Sequence, residues 1–142
     1  MELENGNKES EGGEVHNTKQ YVQCCLRTES YNVPEIRNRM FEDPRNIRLL
    51  HAAMGLVTEA GEFLDVLKKF MFYGKPIDHV NLAEELGDSQ WYAAIGCDAL
   101  GVTMIETMNK NIRKLKKRFP DKFESHLAIH RDLDAERSIL ES

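Results

Sequence analysis

A chain of 142 residues with a formal net charge of −5 fits one domain of ordinary size and lacks the basic surface that would attract nucleic acid or an anionic membrane nonspecifically. No apolar run approaches the length of a bilayer span, and Met1 to His16 is too polar to contain the apolar segment of a secretory signal, so a cytoplasmic location without membrane partners is expected. The cysteines, an adjacent pair at Cys24 and Cys25 and a distant Cys97, offer neither a disulfide framework nor a Cys-x-x-Cys metal motif and are expected to be buried free thiols.

Met1 to Asn17 is polar, with almost nothing apolar to offset the entropy of ordering it, and predicts a disordered tail before a domain over 18–142. Tyr21, Val22, Cys25 and Leu26 recur at helical spacing and predict a first helix from Thr18 to about Ser30. Pro34 then reads as the start of a short connecting segment. Asp43 followed by Pro44 is an N-cap and first-turn pair, and the absence of proline from Arg45 to Phe72 predicts one long helix, apolar over more than one stripe. Gly74, Lys75 and Pro76 end it. Asp78 caps a second long apolar helix that closes at Gly101. Thr103 and Glu106 form a capping-box signature for a third, stopped by Pro120, and the charged remainder supports a weaker last helix that would pack on a partner subunit or fray. No strand alternation or internal repeat is evident. The expected fold is all-α: an antiparallel bundle built on a long helical hairpin, completed by a partner subunit.

The two long helices carry Glu59 with Glu62 and Glu85 with Asp88, two acidic pairs at i, i+3, so each pair shares a helix face. Like charges on apolar helices are costly to bury unless a cation neutralises them, and hard divalent ions such as Mg2+ prefer oxygen ligands. A short Gly-Pro connection makes the helices antiparallel neighbours, and at roughly 1.5 Å of rise per residue all four acids fit within about 9 Å along the hairpin axis. A metal site with Mg2+, or Mn2+ in its place, is expected. Glu84 also lies one turn from Asp88 and competes with Glu85, which the i, i+3 spacing favours; Asp65 is a minor candidate for a further ligand or a supporting hydrogen bond.

The segments HAAMGLVTEAGEFLDVLKK, YGKP, NLAEELGDSQWYAA and NIRKLKKRFPDKF resemble the MazG-like branch of the all-α nucleoside triphosphate pyrophosphohydrolases, over about His51 to Phe123 within a motif-bearing core of 45–123. The resemblance implies hydrolysis of a nucleotide between its α and β phosphates to a monophosphate and pyrophosphate. It implies Glu59, Glu62, Glu85 and Asp88 as ligands of Mg2+, and a homodimer or homotetramer with active sites assembled at subunit contacts. Divalent ions bridging carboxylates and phosphates would stabilise charge on phosphorus and activate a water, with Glu59 or Glu62 orienting that water or taking its proton.

Asn111, Lys114 and Arg118 follow at +3 and +4 on one face of the third core helix, match the family's tail, and are the expected phosphate contacts; the competing reading is a solvated basic face that complements the helix dipole. Trp91 and Tyr92, one turn beyond Asp88, and His51, two turns before Glu59, are candidates for a base pocket, against an ordinary core role. A carboxylate-bridged di-iron or manganese bundle is disfavoured because no Glu-x-x-His occurs. A structural or regulatory helical module is the non-enzyme alternative. Dimeric dUTPase or dCTPase-type enzymes and phosphoribosyl-ATP pyrophosphohydrolase are the enzyme alternatives. The wording of the motifs favours a small enzyme acting on deoxynucleoside triphosphates, with a purine such as dGTP as candidate.

Overall fold

The computed structural model describes residues 14–142, so most of the tail expected at Met1 to Asn17 lies outside the described residues. Among these, seven α-helices and no strand are present, in accord with the all-α expectation. They fall into two compact units that part between Asn38 and Arg39.

In the first unit, α1 (Thr18–Thr28) begins at Asn17, whose side-chain oxygen accepts the Gln20 backbone N–H at 2.9 Å; it buries none of its residues, so Cys24 and Cys25 are exposed thiols rather than the buried ones expected. A second helix, α2 (Val33–Glu42), which runs across the boundary between the units, occupies the stretch expected to be a connecting segment. Pro34 does not break it, because it falls in the first turn, where the missing N–H has no helical partner to lose. The Asn32 carbonyl accepts the Ile36 N–H at 2.9 Å and its side chain accepts the Glu35 N–H at 3.4 Å.

In the second unit, α3 (Pro44–Tyr73) is a single helix of 30 residues. Asp43 caps it, accepting the Arg45 backbone N–H at 2.9 Å and the Arg45 guanidinium at 2.8 Å, a partnership that holds the pKa of this carboxyl below its usual value. Gly74, at φ 67°, ends α3 in the left-handed conformation that glycine adopts without strain. Asp78 then accepts the N–H groups of Val80 and Asn81 at 3.1 and 3.0 Å to start α4 (His79–Leu100), which stops at Gly101.

The two helices run antiparallel, as their contacts show: Arg48 pairs with Asp98, Ala52 approaches Gly96, Gly55 lies under Tyr92, and Glu59 meets Asp88. Every step forward on α3 is thus matched by a step back on α4, the register expected for a hairpin with its apex near Lys75. The expected capping box also forms. Thr103 Oγ1 accepts the Glu106 N–H at 3.1 Å while the Glu106 carboxylate accepts the Thr103 N–H at 2.8 Å, opening α5 (Met104–Arg118).

The C-terminal stretch forms two helices rather than one, α6 (Ser125–Ile129) and α7 (Leu133–Glu141), and α7 packs on α5 of its own chain. The anchor is ionic. Glu136, only 4% exposed, is held by Arg118 Nε at 2.8 Å and Nη2 at 2.6 Å and by Arg131 Nη2 at 2.7 Å. Lys110 Nζ adds a bond of 2.9 Å to the carbonyl of Leu140.

Close approach of α3 and α4 depends on Gly55. A Cβ built there would lie 2.1, 2.2 and 2.3 Å from Cδ1, Cε1 and Cγ of Tyr92. Because Cγ is among the atoms struck, the whole ring must move. Gly55→Ala gains about 1 kcal/mol of helix propensity but meets the upper end of the about 1–3 kcal/mol cost of overpacking, leaving a net loss of about 2 kcal/mol. A lower denaturant midpoint with unchanged slope is the expected result; a midpoint at or above that of the wild type would show that Tyr92 has room to swing away.

Candidate metal centre

Glu59 projects from α3 and Glu85 and Asp88 from α4, and one carboxylate oxygen from each lies within 4.8 Å of the other two. The two α4 acids share a face because they are three residues apart, and antiparallel pairing brings Glu59 level with them. Burial differs across the trio: Glu85 is buried, Glu59 half-buried and Asp88 exposed. The chemical signature is crowded negative charge. Desolvation, a hydrogen bond with Glu85 and the nearby charges of Glu62, Asp88 and Glu85 raise the Glu59 pKa above the usual carboxylate value.

Glu85 rather than Glu84 belongs to the cluster, and Glu84 is exposed. Glu62 stands outside the trio, exposed on the next turn of α3, and lines a neighbouring cleft of about 380 Å³ with Thr58, Asp65, Val66, Lys69 and Asn81. Asp65 is engaged by Lys68 and Lys69, which hold its carboxyl down to about 2.

Sequence reasoning passed over Asn81. Its amide Nδ2 donates to Glu85 Oε1 at 2.5 Å, and the i, i+4 spacing of Asn81 and Glu85 on a helix was the available signal.

The aromatic candidates do meet. His51, Trp91 and Tyr92 form mutual edge-to-face contacts, with ring centroids 6.4 Å apart for His51 and Trp91, 5.6 Å for His51 and Tyr92, and 4.9 Å for Trp91 and Tyr92. Tyr92 is packed over Gly55, whereas Trp91 keeps 57% of its surface exposed. On α5, Asn111 is exposed and Lys114 half-buried, while the Arg118 fork is occupied by Glu136.

The donor set suits a hard divalent cation: it consists of carboxylate oxygens alone, drawn from both arms of the hairpin, and Glu59 feels the charges of its acidic neighbours. Fold and site therefore define an all-α protein with an acidic cluster able to hold a metal ion. The chain belongs to the MazG nucleotide pyrophosphohydrolase family, whose domain model matches residues 49–123, just over half of the chain. It is accordingly a hydrolase acting on nucleotide anhydride bonds. None of the curated proteins and none of the solved structures compared with the chain matches it. The matched region spans most of α3, all of α4 and α5, and every residue of the acidic cluster. No described helix is long and apolar enough to cross a membrane.

Proposed function

We propose that this chain is a Mg2+-dependent nucleoside triphosphate pyrophosphohydrolase that cleaves a (deoxy)nucleoside triphosphate between the α and β phosphates. The products are the monophosphate and pyrophosphate, Mn2+ can replace Mg2+, and purine deoxynucleotides such as dGTP are the candidate substrates. The observation that carries this reading is the convergence of Glu59, Glu85 and Asp88 within 4.8 Å, inside the segment matched by the family. A divalent cation held there supplies the positive charge that phosphate oxygens need and makes a water more acidic.

The remaining work falls to the chain's own groups. Glu62, open to the cleft, completes the ligand set or orients the attacking water, and Glu59 is the other candidate for taking its proton. Lys114, with Asn111 one turn before it on α5, supplies point charge and amide hydrogen bonds to phosphate oxygens. Arg118 reaches phosphate only by exchanging Glu136 for it, and otherwise holds α7 in place. The exposed face of Trp91 is the natural stacking surface for a base, backed by His51 and Tyr92.

A homodimer or homotetramer completes the protein in this reading. Large apolar side chains remain open along the hairpin, including Val57 at 73%, Leu64 at 62%, Phe72 at 76% and Val80 at 80% exposure, apolar surface that self-association would cover. The dUTPase or dCTPase-type and phosphoribosyl-ATP alternatives share the metal chemistry and separate only on substrate.

Pyrophosphate release from a panel of purine and pyrimidine triphosphates, phosphoribosyl-ATP included, tests the proposal. Release is expected to require Mg2+, to be restored by Mn2+, and to fall to background in Glu62→Gln. Orthophosphate with a nucleoside diphosphate as the products would rule out α,β cleavage.

A further inference from the structure

Glu85 is the most deeply placed acid of the trio, at 5% exposure, and its carboxylate is not left to find its own orientation. One helical turn earlier, Asn81 donates its side-chain amide to Oε1 of Glu85 at 2.5 Å. Asn81 is itself fixed at the first turn of α4, where its backbone N–H is bound by the Asp78 cap at 3.0 Å. The chain of constraint thus runs from the helix cap, through a short side chain with few rotamers, to the buried carboxylate.

We infer that Asn81 is a positioning residue for the metal centre: it pins one oxygen of Glu85 so that the carboxylate keeps its place in the cluster with Glu59 and Asp88. This rests on the reading of that cluster as a divalent-cation site.

The chemistry favours an amide in this role. A carboxylate has two oxygens with about four lone-pair sites, so a single N–H donor leaves most of its acceptor capacity unused. The amide is neutral, so it orients Glu85 without cancelling the charge that draws a cation, which a lysine or arginine at the same position would do. It also offsets part of the cost of holding a carboxylate out of water while the site is empty. Asn81 lies between this centre and the cleft it lines with Glu62, so the constraint acts at the border of the trio and the fourth acid.

The test measures metal binding directly, by titrating Mn2+ into the full-length protein and following free Mn2+ by electron paramagnetic resonance, with helical content checked by circular dichroism. Loss of a supporting hydrogen bond to a ligand weakens metal affinity by about 10- to 100-fold, and that weakening is expected for Asn81→Leu. Asn81→Gln, which keeps an amide at helical reach of Glu85, should recover much of it. In turnover assays the same defect should appear as a higher Mg2+ requirement, with kcat regained at saturating Mg2+.

Equal Mn2+ affinity in Asn81→Leu and wild type, with Glu85→Gln deficient, would overturn the positioning role and leave the metal centre standing. Asn81→Gln no better than Asn81→Leu would overturn the amide as the cause. Failure of the wild type to bind Mn2+ would remove the metal centre, and the role of Asn81 with it.

Discussion

Glu85→Gln should lower kcat on the order of 10³-fold, a loss comparable to removing a preorganised group that stabilises charge in a transition state. The substitution keeps the shape of the side chain and an oxygen that can still accept the Asn81 amide, so it isolates charge from packing. What it removes is one of three carboxyl groups within 4.8 Å, and with it part of the charge that a divalent cation would balance. The neighbouring residue supplies the control. Glu84 is adjacent in sequence but exposed and outside the cluster, so Glu84→Gln should keep near-wild-type turnover. Measured kcat and Mn2+ affinity for the two variants decide the matter: a severe loss in Glu84→Gln with Glu85→Gln spared would mean that α4 presents a different face to the substrate.

The second large effect is on stability. Glu136→Gln should lower the thermal midpoint by several degrees at pH 7, because it takes the negative charge away from two guanidiniums, one of them on the 16% exposed side chain of Arg118. The pH dependence identifies the cause. Arg118 first, then Arg131, hold the Glu136 carboxyl down to about 2 from an ordinary value of 4.5. The native state therefore binds this proton less readily than the unfolded chain, and its stabilisation is complete above about 4.5 and lost as the pH falls towards about 2. Asp65, also held near 2 by Lys68 and Lys69, loses its share over a similar window in both proteins. Melting curves taken between pH 7 and pH 2.5 should thus show the wild type falling towards the variant as acid is added. Two parallel curves would show that Glu136 does not anchor α7.

Much of this architecture could be read from the sequence wherever one residue type has one physical use. Asp43-Pro44, Asp78, Gly101 and the Thr103–Glu106 pair all act as the caps their chemistry suggested, and the spacing of the acidic pairs across a short connector anticipated the meeting of Glu59 with Glu85 and Asp88. What was missed falls into two kinds. The helix α2 was legible: Asn32 followed by Pro34 and Glu35 is a helix start, and treating proline as a breaker ignored its tolerance of the first turn. The engagement of Arg118 was not. Its partner lies 18 residues on, beyond a turn and the short helix α6, and no local pattern links a basic face on α5 to one glutamate on α7. Where Asn111 and Lys114 stand relative to the acidic cluster likewise depends on tertiary placement that helical periodicity does not encode.

Among the apolar side chains of the described residues, only Ala52 and Ala99 are fully shielded by the chain itself. In the assembly proposed above the protomer is not the whole folding unit, and association would contribute to the free energy that a melting experiment reads. The midpoint then becomes a function of dose: diluting the sample weakens the native state even though no bond within the chain has changed. Midpoints for Gly55→Ala and Glu136→Gln are commensurable with that of the parent only at matched molarity, and a dilution series for each separates damage to the protomer from damage to its self-association.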